Sequence, residues 1–149
     1  SAFSGSGAVS SVTGTANQIT VSPTTGATVV SLVNSPIVSG TYTDGAGDLR
    51  SVPQNAKTSA YTLVVGDNGK YIDITTGGVT VPASVFSAGQ VVVIYNNSTS
   101  NQTITQGSSV TMYLSGTTST GNRTLASYGV ATVLCTASNT FVITGSGLS

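Results

Sequence analysis

Ser108–Gly116 reads SSVTMYLSG, and its side chains alternate: Val110, Met112 and Leu114 to one side, Thr111, Tyr113 and Ser115 to the other. A period of two is the signature of a strand with two distinct faces. The same alternation recurs along most of the chain, where Val, Ile and Thr fill short intervals between Gly and Pro. No window carries a helical apolar stripe. The nearest is PASVFSAG, Pro82–Gly89, with Pro in a first helical position and Gly at the end, and one short helical turn is expected there.

From Val52 onward the strand signals are dense. YTLVV runs through the turn GDNG into KYIDITT, and GVTVP, QVVVIYNN, QTITQG, VTMYLSG, NRTLASYG, ATVLCTAS and TFVITGSG follow. Residues 52–149 therefore read as an all-β domain, an antiparallel β-sandwich of jelly-roll type. Its short connections favour meander or jelly-roll pairing over parallel crossovers.

Residues 1–43 are different. They carry no charge, whereas seven of the eight charged residues lie between Asp44 and Asp73, and the eighth is Arg123. The Gly/Ser-rich opening SAFSGSGAVSS is expected to be flexible unless another chain holds it. NQITVSP and ATVVSL, joined by TTG, read as two strands, too few to enclose a core. Their apolar residues, with those just before them, are Val9, Val12, Ile19, Val21, Val29, Val30 and Leu32. Such side chains gain burial only against a neighbour, so residues 1–43 read as an attachment and assembly arm, with 44–51 a linker.

Several functions are excluded or disfavoured by composition. Charged residues make up 5% of the chain, against roughly 25% in an ordinary domain. There is no basic patch for nucleic acid. Apolar runs such as Val91–Tyr95 are too short to span a membrane as a helix. The N-terminus lacks the basic and apolar regions of a signal peptide, and Ser1 fits either a removed Met or a cut from a longer protein. Cys135 has no partner for a disulfide and, alternating with Val133 and Ala131, is expected to be a small buried hydrophobe.

With no histidine in the chain, Ser-His-Asp and Cys-His catalysis and His-ligated metals are unavailable. Asp67 and Asp73 flank the GDNGKYID hairpin and invite a glycosidase-like pairing. The plainer expectation is that Asp67 sets the turn and Asp73 faces solvent. DNG and DGAGD (Asp44–Asp48) hold oxygen ligands suited to calcium, but too few carboxylates gather, so both read as turns. The glycine spacings make no phosphate loop. Asn96, Asn97, Asn101 and Asn122 each open an Asn-x-Ser/Thr triplet, as expected by chance in so Asn- and Thr-rich a chain. No cofactor or metal is expected.

Tyrosine is more informative. Tyr95, Tyr113 and Tyr128 lie among Thr, Ser and Asn, and the side chain suits both sugar stacking and protein interfaces. Filling gaps between subunits is the favoured use. Uncharged strand faces fit the same picture, because burying an unpaired Lys or Glu against another copy costs several kcal/mol, whereas Thr satisfies its hydroxyl locally.

Two stretches carry a resemblance. SVTGTANQITVSPTTGATVVSL, residues 11–32, resembles segments that recur in the tail fibres of tailed bacteriophages. Residues 59–145, from SAYTLVV to TFVITG, are similar to a β-module near the C-terminus of phage structural proteins, cyanophage ones included. The resemblance implies a trimeric, non-enzymatic component at the particle surface, in contact with itself and other virion proteins, and it supplies no catalytic residues. Three roles are compatible with it: a fibre or fibre tip that binds a host glycan or protein, a capsid decoration protein, and a depolymerase tailspike. The few carboxylates and short chain disfavour the third.

Overall fold

The computed structural model describes residues 51–149 throughout; within 1–50 it describes Thr13 and four strand segments. The chain divides into two units, Ser1–Tyr42 and Thr43–Ser149. In the first, β1 (Ile19–Ser22) pairs antiparallel with β2 (Val29–Leu32), Ile19 opposite Leu32 and Ser22 opposite Val29. Val29 and Val30 are exposed. Val9 and Val12, and the side chains of Ile19, Val21 and Leu32, lie outside the described residues.

The second unit opens with a small antiparallel hairpin, β3 (Thr43–Asp44) and β4 (Gly47–Asp48), which begins at the last residue of the stretch read as an arm and runs into the one read as a linker. The strands that follow are β5 (Gln54–Lys57), β6 (Tyr61–Thr62), β7 (Tyr71–Ile74), β8 (Val79–Val81) and β9 (Val91–Asn96). After them come β10 (Gln102–Gln106), β11 (Thr111–Leu114), β12 (Arg123–Ala137) and β13 (Thr140–Leu148). A 3-10 turn, Val65–Asp67, is the sole helical element among the described residues. The helical turn expected at Pro82–Gly89 is absent. That segment is a pair of tight turns, with Ser84 at φ 60° and Gly89 at φ 91°, and it drops Phe86 edge-on against Phe141 at 6.2 Å.

The nine strands from β5 on form one nearly closed, barrel-like sheet, so the all-β expectation holds. The pairing is a correction. Strand order is β5-β7-β9-β12-β10-β8-β6, with β13 on β12 and β11 on β13. Pairs β5/β7, β7/β9, β6/β8, β8/β10 and β11/β13 are parallel; those made by β12 are antiparallel. Successive strands go alternately to two wings of the sheet. Residues 58–70, which link β5 to its parallel neighbour β7, include a strand of the other wing. Each connection is short, yet each crossover has the dozen or so residues that parallel pairing needs.

The long strand β12 joins the wings. Arg123–Leu125 pair with β10, Val130–Leu134 pair with β9, and the register slips between them. Tyr128, at φ 57°, sits in that bend. Gly145 on β13 lies opposite Ala131, and a Cβ there would stand 2.6 Å from the Ala131 Cα and still closer to the Val130 carbonyl oxygen. No other residue lets the two strands approach so closely.

Both wings feed one core. Ile72, Ile74, Ile94, Ile104, Phe141 and Ile143 are among its members, each worth about 1.5–3 kcal/mol of burial. Cys135 belongs to this core, as expected; burial raises the thiol pKa, and its Sγ lies 3.2 Å from the Ala137 carbonyl.

Candidate functional site

Amides do within this domain what charged groups do elsewhere. Asn96 is fully buried beside the bend. Its Nδ2 donates to the carbonyls of Ser100 (2.8 Å), Leu125 (3.1 Å) and Ala126 (2.8 Å), and its Oδ1 accepts from the Ser98 hydroxyl at 2.7 Å. The Gln102 side chain bridges the Gly78 N–H and the Thr75 carbonyl, and the Gln106 side-chain Oε1 accepts from the N–H groups of Met112 and Gly121. Loops are thereby fixed without charge. Of the Asn-x-Ser/Thr triplets, the one at Asn96 is thus committed to the interior.

The carboxylates likewise serve structure. Asp67 is 1% exposed. Its Oδ1 accepts from Asn55 Nδ2 at 2.6 Å, and its Oδ2 accepts from the Tyr61 hydroxyl and the Val64 N–H, each at 2.9 Å. Asn55 is on β5 and Tyr61 on β6, the two ends of the strand path. The cluster therefore stitches the seam where the sheet does not close by backbone pairing, and the Lys57 ammonium adds a contact over the Tyr61 ring at 4.2 Å. Burial first, and then the hydrogen bond to Asp67, raise the pKa of Tyr61.

Asp67 does more than set a turn, and Asp73 is half-buried rather than free in solvent. The Asp73 Oδ2 accepts from Gln54 and Asn97, while its Oδ1 has no partner. Asp73 alternates with the inward Ile72 and Ile74 and so lies on the outer face, whereas Asp67 is inside the seam. They do not make a facing pair. Among the described residues, no three Asp, Glu, Cys or His side chains gather as a metal would need. The side chains of Asp44 and Asp48 lie outside the described residues.

The outer faces of the two wings differ. On the wing of β6, β8 and β10, Thr62, Thr80 and Thr105 fall in one row, and Thr103 lies opposite Thr124 of β12. The other wing mixes apolar side chains with threonines on its outer face, Thr132 lying between Val93 and Thr144, and Thr140 beside Thr111. In β9, Val92 and Ile94 point to the core, leaving Val91, Val93 and Tyr95 outside. In β12, Ala131, Val133 and Cys135 point in, and Val130 and Leu134 remain outside at 40% and 39% exposure. Register brings these together: Tyr95 faces Val130, Val91 faces Leu134, Leu134 faces Val142, and Val142 faces Tyr113.

Tyr95, half-buried, and Tyr113, 36% exposed, thus share one outer face, three strand spacings across and four residues along, or about 20 Å apart. Tyr128 stands apart at the bend, 59% exposed. The valines and Leu134 between the tyrosines were not singled out from the sequence. The signal was there: VVVIY is apolar at consecutive positions, the pattern of a strand covered on both sides. No family model, curated protein or solved structure matches the chain.

Proposed function

We propose that this chain is a non-enzymatic structural component of a tailed-phage particle, working as a trimer in a fibre or fibre tip that attaches to the host. The observation that carries the reading is the outer face of β9, β12, β13 and β11. It is a surface on which Val, Leu and Tyr alternate with Thr132, Thr144, Thr140 and Thr111, edged by a single carboxylate and without convergent charged groups. Such a surface suits protein assembly better than chemistry on a small molecule, for which convergent polar groups would be needed. The resemblance of residues 11–32 and 59–145 to phage fibre segments and β-modules supplies the virion setting. Host glycan or protein contact belongs to the same reading, with exposed Tyr128 a candidate for it.

Capsid decoration is the second reading. It is favoured by the separate N-terminal unit with exposed Val29 and Val30, which suits an arm that clamps neighbouring subunits. A depolymerase is the weakest of the three, since Asp67 is bound by three neutral donors within the seam. Electron microscopy of intact particles carrying labelled protein is the deciding experiment. Label at the tail supports the fibre, label on the head supports decoration, and absence from particles overturns both. Light scattering of the purified chain should give three chain masses. Release of sugar from host polysaccharide by the pure protein would overturn the non-enzymatic reading.

A further inference from the structure

We infer that Asn68 is a site of spontaneous covalent modification that the fold holds silent, and that opening of the corner at residues 64–70 releases it. This goes beyond the assembly reading and does not depend on it. Asn68–Gly69 is the one Asn-Gly pair in the chain. With no Cβ on the second residue, its backbone nitrogen can approach the preceding side-chain amide closely. The Gly69 nitrogen bonds to the Asn68 Cγ, the Cγ–Nδ2 bond breaks, and ammonia leaves with the proton of the Gly69 N–H. Water then opens the cyclic imide at either carbonyl, leaving Asp or isoaspartate at position 68.

The folded chain holds both reacting groups on one residue of β9. The Gly69 N–H donates to the Val91 carbonyl at 2.8 Å, and the Asn68 Oδ1 accepts from the Val91 N–H at 3.0 Å. With the Val93 N–H on the Lys70 carbonyl at 3.0 Å, these bonds extend the β7/β9 ladder back to the labile pair. Attack requires the Gly69 nitrogen to leave its acceptor and the amide to turn away from Val91, so the ladder must open first. The corner itself is lightly held. Val64, Val65, Gly66 and Gly69 are exposed, and Asp67, held by three neutral donors, is its one buried side chain. So few buried contacts set local opening well below the cost of global unfolding. Isoaspartate would lengthen the main chain by one methylene between Asp67 and Gly69. The Lys70 N–H bond to the Asp67 carbonyl, 3.0 Å, and the bonds to Val91 then no longer share one register, and the new acid adds charge beside buried Asp67. A corner that has opened and reacted does not reclose.

Intact mass and peptide mapping of the full chain, held in mildly alkaline buffer with and without urea, follow the conversion. Asn68 in the folded chain should convert at least about tenfold more slowly than in urea. Asn55→Ala removes a donor from Asp67 and should speed conversion in the folded chain severalfold. Gly145→Ala, on β13 and outside the corner, should not, at a comparable loss of melting temperature. Circular dichroism verifies that both variants are folded. Should Asn55→Ala fail to fold, Tyr61→Phe removes another donor to Asp67 and takes its place. Hydrogen exchange on the isoaspartate form, separated by ion exchange, should show lost protection at Gly69, Lys70 and Val93. Conversion as fast in the folded chain as in urea overturns the inference, and so does a chain that fails to convert in urea. Equal acceleration by both variants makes global unfolding the gate and overturns the role of the corner. Native protection in the isoaspartate form overturns the one-way step.

Discussion

Asn96→Asp is nearly isosteric, so its effect isolates hydrogen-bonding chemistry from packing. The native amide donates to three carbonyls from a fully buried position. A carboxylate there has no proton to give and faces those oxygens directly. The folded variant at pH 7 must either bury that charge or keep the group protonated. Holding a proton three pH units above the ordinary aspartate pKa costs about 4 kcal/mol. The protonated acid has one donor where the amide had two, so a carbonyl of the bend loses its partner, at about 1–3 kcal/mol more. The total is a large share of a stability of about 5–15 kcal/mol.

The pH dependence follows in sign. The folded-state pKa is raised above the unfolded value, so the variant is most stable below about pH 4 and loses stability as pH rises toward the folded pKa. Urea unfolding of wild type and variant at pH 7 and pH 4 measures this, with unchanged slope expected. Asn96→Leu serves as the control, since its deficit should not depend on pH. A deficit for Asn96→Asp under about 1 kcal/mol at pH 7, or one equal at both pH values, would refute the role assigned to the amide.

Tyr61 gives the opposite limb of the profile. Its raised pKa means that unfolded chains ionise first above about pH 10, so stability should fall from there until the folded value is reached, and Tyr61→Phe should flatten that fall in alkaline urea titrations. Gly145→Ala should destabilise by about 1–3 kcal/mol or more, because its Cβ meets backbone that cannot retreat; a melting temperature equal to that of wild type would contradict the close approach. Deleting residues 1–43 should leave a folded β-domain by circular dichroism that no longer joins particles, and normal incorporation would remove the arm from the assembly.

Much of the fold was legible because the period of two is a local property. Most strands from KYIDITT to TFVITG stand where the alternation places them, although YTLVV keeps only Tyr61–Thr62 as strand and NRTLASYG and ATVLCTAS join into the single β12, and Cys135 is in the core as its neighbours Ala131 and Val133 imply. Pairing was not legible. Alternation tells which face of β7 is buried but not whether β6, β8 or β9 lies beside it, and short connections suggested hairpins that the alternating wings do not make. Pro82–Gly89 has helix-end residues but uses them for turns, since Phe86 must reach Phe141. At the candidate site the tyrosines were visible as a residue type, whereas the face around them needed the register between β9, β12, β13 and β11. Asp67 was read from its turn alone; Asn55 and Tyr61 approach it only once the two ends of the sheet come together.

The alternation of wings also sets an order of events for a chain leaving the ribosome. In the main sheet β12 and β13 are the one pair of sequence neighbours that bond to each other. Every earlier strand must wait for a partner two or three strands later, so no early hairpin can nucleate the domain. The last strands laid on each wing, β9 and β10, keep an open edge until β12 has emerged and bent across both. Nascent chains stalled before Arg123 would present two unfinished edges and a bare apolar interior, the state most exposed to wrong pairing between copies. Closure is thus a single late act, and the C-terminal residues decide whether all that was made before them becomes a closed domain or an aggregate.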